Sequence, residues 1–119
     1  MKTILALVLT VVISSAMAND AKPIKEIDKL TAEIEYDLTM SATWMECYYE
    51  ELYAAEWAPT IGYSYYDLWD ASINLDFAVQ YWVKANKAAN KLAKMGFGYL
   101  AGKLMAGSRD PGTEAEDWP

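Results

Sequence analysis

The sequence predicts an all-α protein: a long antiparallel helical hairpin with a short third C-terminal helix, dimerising into a four-helix bundle. Three observations carry that expectation. Apolar residues recur every three and four positions over two long stretches, the period of a helix and not of a strand. Proline and glycine interrupt that pattern between the stretches only at Pro59 and Gly62. Finally, two helices of about 33 residues, each about 50 Å long at a rise of ~1.5 Å, hide little core when they pair alone, and a second hairpin supplies the missing partner.

The chain opens on a leader and not on a fold element. Lys2 gives a positive start, residues 4–13 are apolar apart from Thr10, and Ser14-Ser15-Ala16-Met17-Ala18 offers small residues at the positions a signal peptidase must accommodate, Ala16 and Ala18. The apolar run over residues 4–17 falls short of the roughly 20 residues a spanning helix needs. Residues 1–18 are therefore expected to be a cleavable signal peptide, cut before Asn19, and the chain to be exported to a periplasm or beyond, with no stable membrane insertion afterwards. No cysteine follows the cut, so no lipid anchor is expected. Without Lys2 the balance is 9 basic against 17 acidic residues, a net charge of −8. That argues against nucleic acid, whose phosphates call for an excess of Lys and Arg, and suits a basic partner.

Residues 19–107 are read as one helical domain. In the first helix, over about 24–57, heptad a positions fall on Ile24, Thr31, Leu38, Met45 and Leu52, and d positions on Ile27, Ile34, Ser41, Tyr48 and Ala55. The β-hydroxy residues Thr39, Ser41 and Thr43 mark a weak point, since they lower helix propensity. Pro59 and Gly62 make the turn. Ser64, with Asp67 three residues on, resembles a helix start, which sets the second helix at about 65–95. Its a positions are Leu68, Leu75, Trp82, Ala89 and Gly96; its d positions are Ala71, Ala78, Ala85, Leu92 and Tyr99. Gly96 and Gly98 end or bend that helix, residues 97–106 form the third, and the polar tail 108–119 is expected to be disordered. Lys84, Lys87, Lys91 and Lys94 share one outward face, expected to be solvated and to pair with carboxylates of the first helix.

Little catalytic chemistry is on offer. The chain has no histidine, which removes the usual general base, the Ser-His and Cys-His pairs and His-ligated metal. No calcium-loop or glycine-rich phosphate pattern occurs. The acids Glu46, Glu50, Glu51, Glu56, Asp67 and Asp70 gather near the turn, but no spacing demands an acid–base pair. A non-enzymatic chain without cofactor or metal is expected. Cys47, alone in the sequence, is a buried small residue, a free thiol or half of an intermolecular disulfide.

The distinctive feature is the turn end. Between Leu30 and Val83 stand ten acidic residues and no basic one, and the same stretch holds twelve of the sixteen aromatics from Trp44 to Trp82. A two-helix seam cannot cover so many rings. Tyr49, Tyr53 and Trp57 step four residues apart on another face of the first helix, and Tyr63, Tyr65, Tyr66 and Trp69 follow the turn. Rings beside carboxylates favour cationic groups, and Tyr and Trp are enriched at interfaces. The expected interaction surface is thus Tyr49, Glu50, Glu51, Tyr53, Glu56, Trp57, Tyr63, Tyr65, Tyr66 and Trp69. It would engage a protein with a basic surface or another copy of the chain; the alternative is a small binding protein holding a cationic or hydrophobic ligand in the aromatic cluster.

Overall fold

The computed structural model describes residues 22–116. The expected signal peptide and the last three residues of the tail lie outside the described residues. Among those described, the chain is all-helical: a long hairpin of α1 (Lys22–Glu56) and α2 (Ile61–Leu92), a π-helical turn at Ala93–Phe97, then α3 (Gly98–Met105) and α4 (Pro111–Glu116).

The first helix runs without a break through Thr39 and Thr43. Thr43 donates its hydroxyl to the carbonyl of Thr39 one turn earlier, at 2.9 Å, so the group that competes with the helix is satisfied along it. The second helix begins four residues before the expected Tyr65. Thr60 is the reason: its Oγ1 accepts from the backbone N–H of Tyr63 (3.2 Å) and its carbonyl from the N–H of Ser64 (3.1 Å). That is an N-cap placed one turn ahead of Ser64. The added turn of helix outweighs the roughly 1 kcal/mol that Gly62 costs inside it.

The helical break after α2 belongs to Gly96, whose φ of 97° is left-handed, whereas Gly98 has ordinary helical angles. A residue with a Cβ is disfavoured there by about 1–2 kcal/mol, so glycine sets the bend. The bend also shifts the register. Tyr99, expected on the seam, is exposed, and Leu100, Ala101 and Leu104 are buried in its stead. Gly107, at φ 81°, closes α3 in the same left-handed conformation.

The chain divides into two compact units. Unit 1 comprises residues 22–36 and Lys84–Gly107. Its interior is aliphatic and close-packed: Ile27, Leu30 and Ile34 from α1, Ala85, Ala88, Ala89 and Leu92 from α2, and Leu100, Ala101 and Leu104 from α3 are all buried. The alanines let backbones approach closely. Thr31 lies in this core with its hydroxyl buried and unpaired.

Unit 2 comprises residues 37–83 and the described residues from Ser108 on. Its seam holds Ser41, Met45 and Tyr48 from α1 against Ala71 and Ala78 from α2. Ser41 donates to the carbonyl of Ala78 at 2.8 Å, a buried bond that ties the two helices. Leu68, expected on this seam, is half exposed, while Ser64 and Asp67 are more covered than it is. Trp44 stacks on Phe77, centroids 4.7 Å apart, with its indole N–H buried and without an acceptor.

The tail, expected to be disordered, instead forms α4. Asp110 starts it, its carbonyl accepting from the N–H of Glu114 (2.9 Å) and its Oδ1 from that of Gly112 (3.0 Å). Pro111 follows at the first helical position, where its missing N–H costs nothing, and is buried. Trp82 donates its indole N–H to Ser108 (3.4 Å), ahead of α4, and Tyr49 its hydroxyl to Glu114 (2.9 Å) within it, so the tail is fastened to both long helices of unit 2.

Candidate functional site

The candidate site is the turn end of unit 2. Helix α1 finishes with Trp57 donating its N–H to the carbonyl of Tyr53 (3.2 Å) and Ala58 to that of Ala55 (3.4 Å). The rings of Tyr53 and Trp57 are tilted neighbours, centroids 6.2 Å apart, and both are exposed. Across the turn, the Thr60 cap makes Tyr63, Tyr65, Tyr66 and Trp69 helical residues. Ile61, Tyr65 and Trp69 therefore stand at i, i+4 and i+8 on one side of α2, with Tyr66 beside them.

That side of α2 is uncovered. Exposure runs from 49% at Leu68 and 60% at Trp69 to 89% at Ile61. Ile61, Gly62, Tyr65, Tyr66 and Trp69 line an open apolar groove of about 540 Å³, and Thr60, Gly62, Tyr63 and Tyr66 a shallower hollow of about 260 Å³ beside it.

The acids divide into two kinds. Glu50 and Glu56 are exposed. Glu51 is partly covered: burial pushes its carboxyl above the usual range, and the neighbouring carboxylates Asp67 and Asp70 push it further. Among the described residues no three potential ligands converge to hold a metal ion, and no helix is long and apolar enough to cross a membrane.

Of the residues singled out in the sequence, Tyr53, Trp57, Tyr63, Tyr65, Tyr66, Trp69, Glu50 and Glu56 are exposed in unit 2. Tyr49 is not among them. Its hydroxyl is taken by Glu114, and burial together with that carboxylate pushes its pKa up to about 12. The tail helix thus covers a ring that the four-residue stepping alone put on the open face. Cys47 is half-buried and forms no disulfide within the chain. The structure adds Ile61 and Leu68, aliphatic residues between the rings, and Glu114 as the cap on Tyr49. Asp110-Pro111 was a readable signal for α4, since an acidic cap followed by proline marks a helix start. Nothing in the sequence links residue 114 to residue 49.

No protein-family model matches this chain, and no match is found among curated proteins or among solved structures.

Proposed function

We propose that this chain is an exported, non-enzymatic interaction protein whose working surface is the acidic-aromatic turn end of unit 2. The observation that carries the reading is the uncovered row Ile61, Tyr65, Leu68 and Trp69, with Tyr63 and Tyr66 beside it and the Tyr53–Trp57 pair on α1. Leaving so much aromatic surface in water forgoes roughly 25 cal/mol for each Å², a loss that a docked protein recovers. Glu50, Glu56 and Asp70 are exposed in the same unit and favour a partner with basic groups. Charge alone gives weak binding, because exposed charges are screened beyond about 8 Å at physiological salt. The rings supply the dry contact.

The test uses the chain as bait in its native exported fraction. Replacing Tyr65→Ala with Trp69→Ala should abolish capture with helicity unchanged, because truncating a buried interface ring commonly costs about 2 kcal/mol or more. Replacing Glu50→Gln with Glu56→Gln should slow association and flatten its salt dependence. Capture equal to wild type by both variants removes this surface from consideration.

The groove of about 540 Å³ favours a second reading, a carrier that holds one cationic or apolar small molecule against Tyr65, Tyr66 and Trp69. Titration with a quaternary ammonium such as tetramethylammonium, followed by tryptophan fluorescence, separates the two. Saturable quenching that is lost in Trp69→Ala supports the carrier.

A further inference from the structure

Charge is divided sharply between the two units. The described residues of unit 1 carry eight lysines against four carboxylates, and those of unit 2 eleven carboxylates against Arg109 alone. From Lys84 to Lys103 there is no acidic residue, and from Glu33 to Asp76 no basic one. The basic face that fits the acidic-aromatic surface is therefore encoded in the same chain.

The fit extends to spacing. On α2 of unit 2 the residues Tyr66, Trp69, Ile73 and Asp76 are separated by three, four and three positions, and all are exposed. In unit 1, Lys84, Lys87, Lys91 and Lys94 are separated by three, four and three, and all are exposed. Each set is one helical stripe, since steps of three and four return to the same face. A three-four-three spacing reads the same in both directions, so two such stripes laid antiparallel match throughout. Lys94 then meets Tyr66, Lys91 meets Trp69 and Lys87 meets Ile73.

We propose that a second copy of this chain docks on the exposed α2 stripe that shares Tyr66 and Trp69 with the turn-end surface, presenting its Lys87, Lys91 and Lys94 to Ile73, Trp69 and Tyr66 of the first. The inference rests on the proposed interaction surface and names its partner. Lysine suits this surface in both halves of its side chain. Its four-carbon stem lies along apolar rings, and its ammonium favours the face of tryptophan or tyrosine within about 6 Å of the centroid. The chain already makes that contact within unit 1, where Lys103 Nζ stands 5.3 Å from the Tyr99 ring centroid. Exposed Asp70 and Asp76 lie beside the rings to receive the ammonium groups. Pairing two turn ends ring against ring would instead bring like charges together, which costs affinity.

Sedimentation equilibrium of the chain purified from an exporting host tests the assignment. Wild type should self-associate reversibly. The association should weaken between about 0.01 M and 1 M salt, over which the screening length falls from ~30 Å to ~3 Å. Lys87→Glu with Lys91→Glu, and separately Trp69→Ala, should each lower the association constant about 30-fold, the fold-change that a ~2 kcal/mol hot spot represents. Lys87→Arg with Lys91→Arg should retain it. Mixing the Glu variant with Trp69→Ala should restore a mixed species, because each supplies the face the other lacks. Far-UV circular dichroism matching wild type confirms that these exposed replacements leave the helices formed.

Three results overturn the proposal. A wild-type chain that stays monomeric while its rings still capture a native partner refutes the second copy and leaves the working surface standing. Loss of association in Trp69→Ala but not in the Glu variant means that the rings meet something other than the lysine stripe. Association unaffected by Trp69→Ala removes the turn-end surface itself.

Discussion

The two units are built from the same pair of helices and solve burial differently. Unit 1 hides leucine, isoleucine and alanine at nearly every seam position and adds α3 as a third layer; lysines occupy its outside. Unit 2 has larger side chains and fewer covered ones. Twelve aromatics stand in it against three among the described residues of unit 1, yet of those twelve only Tyr48 is buried. Small residues let helices close on one another until the interior is full. Rings on every side of a helix cannot all face a single neighbour. The contrast teaches that a high apolar content adds stability only where a layer exists to receive it, and that the surplus becomes surface.

The largest test of this contrast compares two leucines of α2. Leu92 is fully buried in unit 1 and Leu68 is 49% exposed in unit 2. Leu92→Ala should destabilise the fold by about 2–5 kcal/mol, whereas Leu68→Ala should stay within about 0.5 kcal/mol, as surface changes commonly do. Urea denaturation measures both. Equal losses would mean that the two units are packed alike.

A second replacement sharpens the account of unit 1. The Thr31 hydroxyl is buried without a partner. Thr31→Val keeps the shape and removes the orphaned group, so the fold should gain about 1–3 kcal/mol, the desolvation penalty of such a group. A loss of stability would show that the hydroxyl is satisfied in solution.

For unit 2, Tyr49→Phe removes the bond to Glu114 and should cost about 1 kcal/mol, with amide exchange rising first in α4. The sign of the pH effect follows from the raised pKa. Tyr49 ionises near 10 when unfolded and at about 12 when folded, so its contribution is complete below pH 10 and is lost as pH rises through about 12. Tyr49→Phe should flatten that alkaline limb of the thermal melt, and an unchanged limb would sever Tyr49 from the tail helix.

The smallest effect is expected at Glu51. Its folded pKa is raised, by burial first and then by Asp67 and Asp70, so its contribution is present below the unfolded value of 4.5 and is lost as pH rises through the folded value. At neutral pH the ionised carboxylate opposes folding of unit 2. Glu51→Gln should therefore raise the melting temperature at pH 7 and leave it nearly unchanged at pH 4. A lower melting temperature at pH 7 would mean that the ionised form is the one the fold prefers.

Much of the fold and part of the surface were legible in the residues. Three-four periodicity determines the two helices, and heptad positions pick out the buried Ile27, Thr31, Ile34, Ser41, Met45 and Tyr48, polar members included. Pro59 marks the turn and Gly96 the bend, whereas Gly62, expected in the turn, lies inside α2; the absence of histidine narrows the chemistry. Segregation of the acids and rings from the lysines is a property of composition along the chain, and no folding is needed to see it.

Tertiary structure decided the rest, because it turns on groups far apart in sequence or on competition between nearby ones. Thr60 and Ser64 are both competent caps, and the earlier prevails because it adds a turn of hydrogen bonds. Tyr99 and Leu100 exchange roles because a single left-handed glycine shifts the phase of everything after it. Tyr49 leaves the open surface because Glu114, 65 residues away, accepts its hydroxyl. Periodicity states which residues share a face of one helix. Whether another part of the chain comes to cover that face depends on long-range contacts that no local pattern contains.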